Sequence, residues 1–418
     1  MRVEASPRRL GELTRERSEA NRRFFEAEAE RIARLCHRMA ERFARGGRLV
    51  AFGASPRARS DARHVAVEFV HPVIVGKRAL PALALTAEAG DLACQAELVL
   101  EPHDIAIGFG LEEGESEEAG AALAVARARG CLTLAFSADA PAEWAVDPPS
   151  GDPFVRQELA ETLYHVLWEL VHVFFEHRGL LERRAAERTH DTGASSFLYP
   201  FLAEQETDLE SVMSDVRRSV LMKADEVGAL RERTLTEGAE ALGAAAAALR
   251  RSFEAGGRLL ALGNGGSATD AMDVVADFRS PPLAPGRSAA RGGHWPARPA
   301  LDLTEDPAIL TALANDIGVE ALFSRQIIAL GRAGDSVLAI STSGGSANVI
   351  AALAEARRRG LATIALVGYD GGSIAAEGLA DHVVVTPSEH IPRIQEAQAS
   401  AYHVLRELVE AEEAVEAA

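Results

Sequence analysis

The sequence predicts a tandem α/β protein: two copies of a parallel sheet flanked by helices, joined by a helical connector. Three observations carry this. A strand–glycine turn–helix unit at Gly256–Phe278 occurs again, altered in its turn, at Gly46–Phe69. Short apolar runs ending in turn residues alternate with helical patterns, as expected of strands covered on both faces. Matching segments lie more than about 200 residues apart, which means duplicated domains rather than a solenoid of small repeats.

Residues 1–45, rich in Arg, Glu and Ala, read as largely helical. GGRLVAFGASPRARSDARHVAVEF (Gly46–Phe69) then matches GGRLLALGNGGSATDAMDVVADF (Gly256–Phe278). Arg78–Thr86 answers Arg298–Thr304, Asp104–Gly130 answers Asp335–Gly360, and Phe154–Val171 answers Pro392–Val409. The matches divide the chain into a first domain over 1–182, a linker over 183–207 and a second domain over 208–418. Asp208–Leu249 has little Gly or Pro and reads as the second domain's first helices. The Pro/Gly/Arg-rich stretch 281–298 reads as a lid or an unstructured insertion, and the acidic tail Glu410–Ala418 as frayed.

In the second copy Leu259–Leu262 is a buried strand, followed by a turn containing Gly263, Gly265 and Gly266. Glycines there permit backbone angles and close approach that side chains forbid. The following helix is expected to be capped by Ser267, with Asp270 in its first turn. Free N–H groups at such a helix start are ready for an anion. An ordinary βα turn without ligand is the alternative. The fragment Gly263-x-Gly265-x-x-Ala268 touches the dinucleotide fingerprint, but the acidic residue wanted about 20 positions on falls in a loop, so no nucleotide cofactor is expected. A second loop, STSGGSAN (Ser341–Asn348), follows the strand Ser336–Ile340 and brings the hydroxyls of Ser341, Thr342, Ser343 and Ser346. Hydroxyls and backbone amides without a lysine form a hydrogen-bond basket for phosphate.

A formal charge of −18, with the arginines scattered among acids, argues against nucleic acid as partner. Cys36, Cys94 and Cys131 lack pairing or zinc-ribbon spacing, which suggests buried thiols in a reducing compartment. No apolar run approaches a membrane span and the charged start is no signal peptide, so a cytoplasmic protein is expected. His172, His177, His190, His294, His382 and His390 read as structural or surface residues, and Cys131 as core.

These residues resemble the sugar-isomerase (SIS) superfamily, and within it the phosphoheptose isomerase family. The matching pieces are LGNGGS (Leu262–Ser267), AND (Ala314–Asp316), FSRQ (Phe323–Gln326), GDSVLAISTSGGSANVI (Gly334–Ile350) and RIQE with His403 (Arg393–Glu396). The resemblance covers almost all of 225–410, with 20–180 as a diverged copy. It implies flavodoxin-like three-layer αβα domains and an aldose–ketose isomerase of a sugar phosphate, sedoheptulose 7-phosphate above all. It implies phosphate binding by Asn264, Gly265, Gly266, Ser267, Ser341, Thr342, Ser343 and Ser346, with Asp316 nearby and Gln395 at the substrate. It further implies a zinc-type set of His, Glu, Gln and His. The first copy keeps all four as His64, Glu68, Gln157 and His165; the second has Asp273, Asp277, Gln395 and His403. Conversely, the first copy's phosphate loops are lost: ASPRARSD replaces NGGSATD, and Glu112 and Glu113 stand where hydroxyls would grip an anion.

The expectation is therefore a composite site: phosphate held by the second copy, the proton moved by Glu68 of the first, and His165 or His403 shuttling the hydroxyl proton. From Ser267 to Asp277 is about 15 Å of helix, a long reach for a heptulose, which favours a base from another copy. Taken alone, His64 and Glu68 are an ordinary i,i+4 surface pair, but their place in the repeat argues otherwise; Asp273 and Asp277 read equally as a solvated face or a metal pair. A homodimer mimicking a tetramer of single SIS domains is expected. A non-catalytic phosphosugar-binding regulator is the alternative. An aminosugar synthase is a third reading, disfavoured because no glutaminase segment is visible.

Overall fold

The computed structural model describes residues 7–73, 77–111, 117–176, 209–282 and 295–411. The chain forms two compact units, each discontinuous in sequence. The amino-terminal unit is Ala20–Pro149 with Leu159–Glu226, and the carboxy-terminal unit is Met1–Glu19, Ser150–Glu158 and Val227–Ala418. The linker expected over 183–207 lies outside the described residues, as do Glu112, Glu113, His177, His190, His294 and most of the expected lid.

The first half runs α1 (Pro7–Ala44), β1 (Leu49–Gly53), α2 (Pro56–Val70), β2 (Ala82–Thr86), α3 (Leu92–Val99), β3 (Ile105–Gly108), α4 (Glu118–Ala128), β4 (Leu132–Ala135), β5 (Trp144–Ala145) and α5 (Pro153–Glu176). The second half runs α6 (Leu209–Glu237), α7 (Ala239–Glu254), β6 (Leu259–Leu262), α8 (Gly266–Arg279), β7 (Ala300–Asp302), α9 (Pro307–Asp316), α10 (Leu322–Leu330), β8 (Ser336–Ser341), α11 (Ala347–Arg358), β9 (Ala362–Gly368), α12 (Gly372–Ala376), β10 (His382–Thr386) and α13 (Ile391–Glu410).

Each unit holds a five-stranded sheet, in the order β2-β1-β3-β4-β5 and β7-β6-β8-β9-β10, with every pairing parallel. Counted from the first strand of each unit, both orders read 2-1-3-4-5, the flavodoxin-like arrangement. The duplication read from sequence is thus a duplication of topology. In β6, Leu259 and Ala261 join a core with α7, α8 and α13, while Leu260 and Leu262 join another with α10 and α11. That two-sided burial is why the strand is apolar without alternation.

The amino-terminal edge of each sheet carries the same clamp. The backbone N–H and the guanidinium of Arg48 both donate to Asp104, at 2.8 and 2.7 Å. Arg258 holds Asp335 in the same way, at 2.8 and 3.0 Å. Each aspartate also accepts the N–H three residues before it, at 2.9 Å from Glu101 and 3.0 Å from Arg332.

At the opposite edge the carboxy-terminal unit needs glycine for two distinct reasons. At Gly263 a Cβ would stand 2.1 Å from the Ser267 carbonyl oxygen. Gly344 sits at φ +60°, and its Cβ would stand 2.1 Å from the Gly371 carbonyl oxygen. Gly344→Ala should therefore destabilise this unit by about 1–3 kcal/mol, read from denaturant unfolding beside the unchanged protein.

Candidate active site

β6 and β8 are neighbours in the sheet, although β7 lies between them in sequence and pairs on the far side of β6. Their carboxyl ends form the topological switch point, where α/β sheets of this kind bind ligands. The two loops read as a phosphate cradle both leave the sheet here. They are tied by a reciprocal amide pair: Asn264 donates to Asn348 at 2.9 Å, and Asn348 returns the bond at 2.9 Å.

α8 begins at Gly266 with Gly265 as its N-cap, at φ 58° and ψ −125°, and no side chain caps it. The expected cap by Ser267 is corrected: Gly265 takes a positive-φ conformation suited to glycine, which starts the helix before the serine. Ser267 is buried in the first turn. Asp270 is likewise corrected; the first turn holds no acid, and Asp270 lies buried one turn further on. In the second loop, Ser341 Oγ accepts the Gly344 N–H at 3.1 Å and stands 3.4 Å from Ser346 Oγ. Ser343 Oγ accepts the Gly345 N–H at 3.2 Å. Thr342 lies between them, and Ser346 is the N-cap of α11 without closing it through its side chain. Hydroxyls thus order the loop while two helix starts remain uncapped by side chains. Asp316 ends α9, exposed, and accepts from Asn315 at 2.7 Å.

The matching helix start in the amino-terminal unit is closed. There Ser55 is the N-cap of α2, its side chain accepting from the Ala58 N–H at 3.3 Å, with Pro56 next. Arg59 and Arg63 both pair with Glu88.

This unit instead gathers nitrogen and carboxylate ligands. His64 and Glu68 share one face of α2 with Nε2 and Oε1 3.8 Å apart, and His165 of α5 brings its ring to 5.1 Å from that of His64. One ligand atom from each of His64, Glu68 and His165 falls within 4.8 Å of the others, and all three are buried. Burial, followed by the charge of His165, depresses the His64 pKa well below its usual value, keeping the neutral imidazole a metal requires. These donors fit a divalent ion of zinc type. His64 and Glu68 are not a surface pair. Gln157, grouped with them from sequence, donates to Asp273 Oδ1 at 2.9 Å within the carboxy-terminal unit.

The second copy's set is arranged differently. Asp273 and Asp277 are buried, not a solvated face. The Tyr402 hydroxyl donates to Asp273 Oδ2 at 3.3 Å, and His403 Nε2 lies 3.5 Å from Asp277 Oδ2. Gln395 is buried on α13. Sequence reasoning missed what surrounds His403. Glu158 Oε1 meets His403 Nδ1 at 3.0 Å and accepts Arg17 Nε at 2.9 Å, while Glu158 Oε2 accepts Ser400 Oγ at 2.5 Å. The Phe154 ring stacks on His403, with centroids 4.6 Å apart. Burial alone would raise the Glu158 pKa, but Arg17 and His403 override it and hold the carboxyl at about 2. A weak signal was present: Gln157–Glu158 recurs as Gln395–Glu396, yet Arg17 is 141 residues from Glu158.

Other expectations resolve simply. His172 is structural, its ring nitrogens 2.8 and 3.0 Å from the carbonyl oxygens of Trp168 and Arg78. Cys36 and Cys131 are buried, but Cys94 is exposed, because α3 turns that residue outward. The described end of the expected lid is held to α13, where Arg406 donates to the Pro296 carbonyl at 3.0 Å and Arg298 pairs with Glu410 at 2.8 Å. Among the described residues no helix is long and apolar enough to cross a membrane.

The fold and the switch-point loops define a SIS-domain protein, and a SIS domain family model matches residues 224–368. A phosphoheptose isomerase of Roseiflexus sp. is 44% identical over 184 residues, spanning 43% of this chain and 86% of that protein. Its counterpart in Pelobacter propionicus is 47% identical over 165 residues, 40% of this chain and 82% of that protein. The chain belongs to the phosphoheptose isomerase family. Across both units, the C-terminal domain of glucosamine-fructose-6-phosphate aminotransferase from Francisella tularensis has a similar fold, with a TM-score of 0.56 and 10% identity, over 96% of this chain and 94% of that one.

Glu407 supplies a pH test of the buried network. Burial, opposed by Arg17 and reinforced by Asp152, raises its pKa to about 7. Between the ordinary carboxylate range and pH 7 the folded chain keeps a proton that the unfolded chain has released. The resulting stabilisation is full at lower pH and is lost as pH rises to about 7. Glu407→Gln should remove this slope, so the wild-type-minus-variant difference in Tm should fall between pH 5 and 7.5.

Proposed function

We propose that this chain is an aldose–ketose isomerase of a sugar phosphate, converting sedoheptulose 7-phosphate to glycero-manno-heptose 7-phosphate through an enediol. The observation that carries the reading is the pair of glycine- and hydroxyl-rich loops at one switch point, joined by Asn264 and Asn348, in a chain whose relatives are named phosphoheptose isomerase.

The phosphate is held by Asn264, Ser267, Ser341, Thr342, Ser343 and Ser346 with the N–H groups of α8 and α11. Two helix starts favour the anion electrostatically and fix the sugar's far end. The proposal keeps the division of labour read from the sequence. Glu68 retains the longer carboxylate arm and removes the proton from the carbon beside the carbonyl, returning it to the neighbouring carbon. His165 or His403 carries the hydroxyl proton. His64, Glu68 and His165 would hold a divalent ion, zinc by donor type, which supplies Lewis-acid polarisation of the carbonyl when bound. We place the protein in the cytoplasm as a homodimer. Exposed Ile309, Ile317, Val319, Ile328 and Leu330 on and beside α9 and α10 support an interface between copies.

The second reading, a non-catalytic phosphosugar-binding module, is favoured by one observation: in the unit that keeps the loops, Asp273 is engaged by Gln157 and Tyr402. A coupled isomerase assay with metal analysis separates the two. Glu68→Gln should lower kcat on sedoheptulose 7-phosphate by about 10²-fold or more; full turnover in that variant rejects the assignment. Ser341→Ala should raise KM by about tenfold, at about 1.4 kcal/mol for a lost charge-assisted bond, with a smaller change in kcat.

A further inference from the structure

His403 lies fully buried on α13, and a buried imidazole acts through whichever nitrogen its surroundings leave available. We propose that Glu158 is a positioning residue for His403: it accepts the hydrogen bond from Nδ1–H and so presents Nε2, on the Asp277 side, as the nitrogen that exchanges protons during turnover. The last clause rests on the isomerase reading above; the geometry does not.

Glu158 faces three donors: Arg17 Nε at 2.9 Å, Ser400 Oγ at 2.5 Å and His403 Nδ1 at 3.0 Å. A carboxylate paired with a guanidinium is an acceptor only, so the nitrogen facing it carries hydrogen. Arg17 is itself fixed, because its other arm reaches Glu407 Oε1 at 3.2 Å and its NH1 donates to the Leu13 carbonyl at 3.3 Å. Ring rotation is restricted by Phe154, stacked at 4.6 Å, and by Tyr402 at 4.6 Å on the edge. What remains is Nε2, 3.5 Å from Asp277 Oδ2. A carboxylate behind one imidazole nitrogen fixes the tautomer and raises the basicity of the other.

The test is nitrogen and carbon NMR of the full chain labelled at histidine, with the His403 signal assigned by its loss in His403→Gln. The wild type should show Nδ1 protonated in every state. Glu158→Ala should lose that preference and shift to the Nε2–H form, while Glu158→Gln, whose amide oxygen still accepts, should keep it. On sedoheptulose 7-phosphate, Glu158→Ala should lower kcat about tenfold or more with KM within about twofold, and Glu158→Gln should restore most of the loss. Because Glu158→Ala strands a buried guanidinium, the double variant Arg17→Met/Glu158→Leu gives the same tautomer readout with that guanidinium removed. An Nε2-protonated His403 in the wild type, or a tautomer unmoved by removing Glu158, overturns the proposal. So does an unchanged kcat in Glu158→Ala. If the wild type itself turns over no sugar phosphate, the isomerase reading fails while the NMR still decides the geometry.

Discussion

Everything at the carboxyl edge of the carboxy-terminal sheet follows from one constraint of chain order: β7 pairs outside β6, so β8 must pair inside it. A right-handed crossover between parallel strands leaves the ends of β6 and β8 side by side with their helices diverging to opposite faces. Each loop there turns tightly: Gly263 folds onto the Ser267 carbonyl at the start of α8, and Gly344 onto the Gly371 carbonyl after β9, where a Cβ would strike backbone oxygen. The Asn264–Asn348 amide pair then joins two loops that are 84 residues apart in sequence.

The interior of α13 shows the complementary problem. This helix is buried along nearly its whole length yet carries Gln395, His403, Arg406 and Glu407. Polar groups in such a place are tolerated only when partnered, and breaking one partner costs more than the pair contributes. The chain meets this with side chains from distant segments: Arg17 from α1 and Glu158 from the first turns of α5. The amino-terminal unit brings together a different combination, two imidazoles and one carboxylate. The two copies of the motif have kept their positions in the fold while changing what those positions hold.

Local features were legible in the sequence and long-range ones were not. Leu259–Leu262, Ser336–Ile340 and the glycine-rich turns carry their own signals, because strand burial and close backbone approach restrict residue type directly. The helix cap lies two residues before the serine expected to provide it, since a serine with a free hydroxyl and a glycine with positive φ both begin helices and composition does not rank them. Glu158 was invisible for a different reason. Its importance comes from Arg17, Ser400 and His403, which lie up to 245 residues away, and no local pattern announces such a meeting. Gln157 was placed correctly on its helix, but the choice between Asp273 and His64 as neighbour depends on packing that a repeat alignment does not contain.

The arginine–aspartate clamps at the amino-terminal sheet edges, Arg48 with Asp104 and Arg258 with Asp335, are alike down to their backbone donors. At the other edge the same two modules have parted company. After the ancestral doubling, the rim that ties the strands together kept its residues in both modules, whereas the opposite rim diverged. The loops of one copy therefore diverged without dissolving its sheet, and paralogous specialisation in a protein of this build is expected to accumulate on a single rim.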